Sequence, residues 1–138
     1  MPWYRYSEIF NNQALPVVEV VLRYGEHSVR VPALVDSGAD VSALDINHAL
    51  ELGLDKESGL RTSVLGAGGA EIECLSWEGL ELEFEQDRFP FTGRFLDFPP
   101  GSPRVSLLGR HDFFRRYIIQ FWDAAKLIGI DVSPEFPR

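Results

Sequence analysis

Val31-Pro32-Ala33-Leu34-Val35-Asp36-Ser37-Gly38-Ala39 decides how this chain is read. Five apolar residues run straight into a carboxylate, which opens onto a hydroxyl, a glycine and a small residue. An apolar run of that length, closed by turn formers, reads as a buried strand. Asp36 then stands where the strand stops and the backbone turns, and Gly38 permits close approach of neighbouring backbone. Alone, such a turn is more often structural than chemical, because Asp, Ser and Gly are all common in turns. Its neighbours in the sequence change that weighting.

Upstream, residues 15–25 are rich in β-branched side chains with partial alternation, as in a strand with one buried face. Gly25-Glu26-His27 supplies a turn, and 28–35 forms the returning strand, so a hairpin delivers Asp36. Downstream, 41–44 reads as a short strand. A helix is expected over 46–52, with Asp45 as N-cap and Gly53 as its stop. Residues 55–62 read as a polar loop. Val64-Leu65 then enters a glycine-rich tip, Gly66-Ala67-Gly68-Gly69-Ala70, followed by alternating Glu71-Ile72-Glu73-Cys74-Leu75, the two arms of another hairpin. Separate strands are expected at 80–85 and 89–95. Residues 97–103 make a Pro-rich loop, 105–109 a short buried strand, and 111–117 one or two helical turns. A last hairpin joins 118–122 to 127–130. Many short strands with few helices predict an all-β fold, a closed or orthogonally packed barrel. Residues 1–14 read as an N-terminal arm or tail and 15–138 as a single domain.

With 138 residues, 45% of them apolar and 25% charged, the chain suits one globular domain. A net charge of −8 argues against a nucleic-acid partner. Arg115-Arg116 reads as solvated surface. The lone Cys74 cannot form an internal disulfide and reads as a small buried group. No stretch approaches the ~20 apolar residues a membrane helix needs, and the N-terminus lacks the apolar run of a signal peptide. A cytoplasmic location without a membrane partner is therefore expected. His27, His48 and His111 show no metal-ligand spacing, and Trp3, Trp77 and Trp122 read as core or interface aromatics.

Taken together, the apolar lead-in to Asp36-Ser37-Gly38, the Gly-rich hairpin and Leu107-Leu108-Gly109-Arg110 resemble the retropepsin-like aspartic proteases. The resemblance spans about residues 16–130. It implies that Asp36 is catalytic and that Ser37, Gly38 and Ala39 shape its loop. It implies that Gly109 belongs to a buried segment bracing that loop, and that Asp40 and Arg110 form a supporting ion pair. Gly66, Ala67, Gly68 and Gly69 would form the substrate-covering flap. No cofactor and no metal are implied.

That chemistry needs two carboxylates sharing a proton, so that one activates water while the other hydrogen-bonds the scissile carbonyl. The chain carries the triplet once. Asp87, Asp97, Asp112, Asp123 and Asp131 lie downstream, none of them in Asp-Ser/Thr-Gly. A two-fold homodimer that sets Asp36 against its own copy answers the arithmetic. The expected activity is thus an aspartic endopeptidase acting on peptide or protein substrates. Two other readings remain: a catalytically silent peptide-binding or dimerisation module of the same fold, and a divalent-cation site built from Asp36, Asp40 and Asp45.

Overall fold

The computed structural model describes residues 1–66 and 69–134. It is all-β with short helical turns, arranged as two sheets. Strands β2 (Val17–Tyr24) and β3 (His27–Val35) form the expected antiparallel hairpin, with Val17 opposite Leu34 and Tyr24 opposite His27. On β2, Val18, Val20 and Leu22 point inward. On β3, Val31, Ala33 and Val35 do the same. Burying each such side chain stabilises the fold by roughly 1.5–3 kcal/mol for the larger ones.

β4 (Leu44–Asp45) leads into helix α1 (Ile46–Glu51). Asp45 caps it, its Oδ1 accepting the Asn47 amide at 3.0 Å, and Gly53 leaves it at φ +81°. β5 (Leu60–Leu65) and β6 (Glu71–Phe84) are the arms around the Gly-rich tip. β7 (Asp87–Leu96) returns along β6. β8 (Ser106–Leu108) lies parallel to β3, with Val35 opposite Leu108. The larger sheet runs β4-β7-β6-β2-β3-β8, with β5 on β6. Its ends do not close into a continuous barrel ladder. A single bridge, Ala43 with Leu107, draws them together through bonds of 3.0 and 2.8 Å.

The smaller sheet is β1-β10-β9, built from Trp3–Arg5, Leu127–Val132 and Tyr117–Trp122. Residues 3–5 of the N-terminal segment are thus a paired strand, not a free tail. An aromatic cluster joins the two sheets: the Phe113 and Tyr117 rings lie 4.7 Å apart, and Phe84 lies 5.6 Å from Tyr117.

Several expectations change. Residues 71–85 do not split into two strands. β6 is continuous, and its register shifts between Trp77 and Leu80 where Gly79 adopts φ +83°. Such a bulge bends a strand without ending it. Within 55–62, Lys56–Ser58 is a 3-10 turn and β5 already starts at Leu60. The strand expected over 41–44 shrinks to Leu44–Asp45 plus the Ala43 bridge, because Ser42 is bonded elsewhere. Arg116 is not solvated surface but 8% exposed, its Nε and Nη2 on the two Asp87 oxygens at 2.6 and 2.8 Å. Burial and that carboxylate, which also accepts the Tyr117 hydroxyl, push the Tyr117 pKa well above its usual value.

Candidate active site

β3 delivers Asp36 to a turn at the end of its apolar run. The Asp36 amide donates to the Leu108 carbonyl at 3.0 Å, which continues the β3–β8 ladder by one step. The side chain then folds over its own turn, Oδ1 accepting the Gly38 amide at 2.8 Å. Ala39 N–H closes the turn on the Asp36 carbonyl at 3.2 Å. Asp36 is half-buried, and Ser37 and Gly38 are exposed. The loop therefore faces open surface, with its carboxylate fixed by local backbone geometry.

The segment after β8 backs this turn. Arg110 N–H donates to the Ala39 carbonyl at 2.9 Å and His111 N–H to the Asp40 carbonyl at 2.8 Å. Arg110 Nη2 lies 2.5 Å from Asp40 Oδ1, in a pair where both side chains are about half exposed. Gly109 lies so close beneath the loop that an added Cβ would sit 2.5 Å from the Val41 carbonyl carbon. Only glycine fits that approach.

Two residues that the sequence did not single out for this role complete the backing. Ser42 is 1% exposed, and its hydroxyl donates to Asp112 Oδ1 at 2.5 Å while accepting the Gly109 amide at 3.0 Å. Ser42 N–H donates to Asp112 Oδ2 at 3.1 Å. Asp112 lies in a π-type turn, Arg110–Phe114, whose Phe114 and Arg115 amides reach back five residues. The only hint in the sequence was a serine among apolar residues at 41–44, a polar group that needs a partner once buried.

The loop's exit is clamped as well. Asp45 accepts Arg104 Nε at 2.9 Å and Arg104 Nη2 at 2.7 Å. Burial alone would raise the Asp45 pKa, but the Arg104 bonds and the Asn47 amide hold it below its usual value. Arg104 also donates to the Phe98 carbonyl at 3.2 Å, which ties the Pro-rich segment to β4.

These assignments remove the cation reading. Asp40 is engaged by Arg110 and Asp45 by Arg104, so they do not converge with Asp36. No metal-binding cluster of His, Cys, Asp or Glu occurs among the described residues. The downstream aspartates sit elsewhere: Asp112 on Ser42, Asp87 on Arg116, Asp97 near Lys56 and Asp123 near Lys126. Of the Gly-rich tip, Gly66 and Gly69 are described, while Ala67 and Gly68 lie outside the described residues. Gly66 N–H donates to the Ala70 carbonyl at 2.7 Å, and Ile72 covers Gly66. A cavity of about 840 Å³ lies away from Asp36, lined by Ile46, Arg61, Glu73, Cys74, Phe95 and Asp97. Asp36 does not line that cavity.

A family model described as aspartyl protease matches residues 20–111, about two thirds of the chain. The chain belongs to the aspartyl protease family. Its fold agrees. A solved structure described as EIAV protease complexed with the inhibitor HBY-793 superposes with a TM-score of 0.52 at 24% identity, covering 73% of this chain and 86% of that one. That likeness establishes a retropepsin-like fold for this aspartyl protease. No curated protein matches the sequence. Among the described residues no helix is long and apolar enough to cross a membrane.

Proposed function

We propose that this aspartyl protease is a homodimeric endopeptidase whose dyad is Asp36 of one protomer and Asp36 of its partner. One observation carries the reading. Asp36 is presented on a braced, outward-facing turn, while Asp112 and Asp87 are committed to Ser42 and Arg116 and no other aspartate stands in an Asp-Ser/Thr-Gly triplet. A single carboxylate cannot serve as both base and acid in this chemistry, and a two-fold axis beside the turn supplies the second without another motif.

In that dimer, close approach raises the cost of ionising both carboxyls, so the pair retains one proton over part of the acid range. The ionised member takes a proton from water, which attacks the scissile carbonyl. The protonated member gives its proton to the carbonyl oxygen. When the resulting diol collapses and the C–N bond breaks, the member that took the water's proton passes it to the leaving amine, and a diol hydroxyl returns its proton to the other carboxylate. Ser37 and Gly38 shape the loop around the pair. The β5–β6 hairpin acts as the flap, holding an extended peptide through backbone bonds and excluding water. Cleavage is expected to be fastest at mildly acidic pH.

The test is digestion of a diverse peptide mixture by wild type and by Asp36→Asn, with mass in solution measured for both. Wild type should cut and sediment at twice 15.6 kDa. The variant should keep its dimer mass and lose cleavage. A wild-type dimer that binds peptides yet leaves them intact from acid to neutral pH would instead identify a binding module.

A further inference from the structure

We propose that Asp112, acting through Ser42, is the principal residue positioning the Asp36 loop, and that the exposed Arg110–Asp40 pair is secondary. The proposal rests on the endopeptidase reading for its kinetic consequence, although its structural part stands apart from it.

The Asp112 carboxylate accepts three neutral donors: the Ser42 hydroxyl at 2.5 Å, the Ser42 amide at 3.1 Å and the Phe113 amide at 2.8 Å. The Ser42 hydroxyl passes the connection on by accepting the Gly109 amide. One carboxylate therefore ties together the segment leaving the Asp36 turn, the residue that follows β8 and the π-type turn. Hydrogen bonds to an ionised acceptor are stronger than neutral ones, and burial of Ser42 keeps water from competing. Arg110 and Asp40 are 56% and 49% exposed, where screening and side-chain entropy leave an ion pair little net effect.

Asp112 also has a rigid footing. Phe113, next in the chain, is fully buried among Phe84 and Tyr117. Turns with five-residue reach occur frequently at functional sites. Here the wide turn sends Arg110 and His111 amides to the loop's carbonyls while Asp112 holds Ser42. Two-fold symmetry then magnifies any slack. A displacement of the loop away from the axis in each protomer changes the carboxylate separation by twice that amount. The shared proton of the dyad depends on that separation.

Asp112→Asn keeps the shape but forces a conflict. If the amide nitrogen replaces Oδ2 it faces the Ser42 N–H, and if it replaces Oδ1 it faces the Phe113 N–H. The experiment compares Asp112→Asn with Arg110→Gln by steady-state peptide cleavage across pH and by amide hydrogen exchange. Asp112→Asn should lower kcat about ten- to a hundredfold, as loss of hydrogen bonds to a charged group implies, with KM little changed and the limbs of the pH profile moved. Arg110→Gln should lower it less than about fivefold. Exchange at residues 38–42 and 109 should quicken in Asp112→Asn while β9 and β10 keep wild-type protection. Should Asp112→Asn not fold, Ser42→Ala keeps the amide bond to Asp112 and should shift the same quantities more weakly. Equal or larger effects in Arg110→Gln, or loop exchange unchanged in Asp112→Asn, overturn the proposal. If wild type cleaves nothing, the endopeptidase reading fails, and exchange alone still decides what holds the loop.

Discussion

The Asp36 loop and the β5–β6 hairpin are anchored in opposite ways. From Asp36 to Ser42 the backbone is bonded to Leu108, Arg110, His111 and Asp112, and the Ser42 hydroxyl accepts the Gly109 amide. Along β5 only Val64 is buried, and the hairpin meets the body through a small cluster of Val64, Cys74 and Leu96 with Val41, Ala43 and Phe98 against it. Local opening free energy follows buried contacts and protected hydrogen bonds. The loop is held at many points, and the outer part of the hairpin by one small apolar joint.

The largest expected break of that contrast is Gly109→Ala. Gly109 has ordinary extended backbone, φ −110° and ψ −176°, so the cost is steric rather than conformational. The new methyl would meet the Val41 carbonyl carbon at 2.5 Å and its oxygen at 2.6 Å, and backbone cannot rotate aside. A loss of about 3 kcal/mol or more is expected in chemical denaturation. A variant as stable as wild type means that the loop yields, and the contrast is void. Next comes Asp45→Asn, which replaces one of the two oxygens that accept from Arg104 with an NH2 group and removes the negative charge from the other; about 2 kcal/mol is expected for a partly buried charged pair. Acid should mimic it. Asp45 is held below the usual carboxylate range by Arg104 and the Asn47 amide, so its contribution is complete above the unfolded value and fades as pH falls through the lower folded one. In Asp45→Asn that part of the acid destabilisation should be missing.

The sequence displayed what repeats locally and hid what is joined across distance. The run 31–35, the cap at Asp45 and the stop at Gly53 are each decided within a few residues, and all appear as read. Ser42 and Asp112 are 70 positions apart, and nothing local says which aspartate a buried serine will find. Arg116 looked like surface because a charged pair in sequence usually is. Asp87, 29 positions earlier, and the ring of Phe89 at 4.7 Å give it an interior seat. Within β6, Trp77-Glu78-Gly79 interrupts the alternation in the sequence, but Gly79 absorbs the break as a bulge and the ladder resumes at Leu80.

On the hairpin side the effects should be smaller. Val64→Ala trims the joint itself, and about 1–2 kcal/mol is expected, with exchange quickening in β5 before any other strand. Uniform quickening across the large sheet would show that the hairpin opens only with the whole domain.

Ile72→Ala is the finest test, because Ile72 pairs directly with Val64 but lies beyond the joint. Both side chains share one face of the hairpin, the face that carries Cys74 toward Val41 and Ala43. Ile72 is 40% exposed, and its covered part rests on Gly66. Removing it uncovers a turn rather than opening the core, so stability should change by less than about 0.5 kcal/mol. If the hairpin closes over bound peptide, that same face meets the substrate, and KM for an apolar peptide should rise while the melting midpoint stays put. A stability loss matching Val64→Ala would place Ile72 inside the joint, which would then reach nearer the tip than the burial of β5 and β6 indicates.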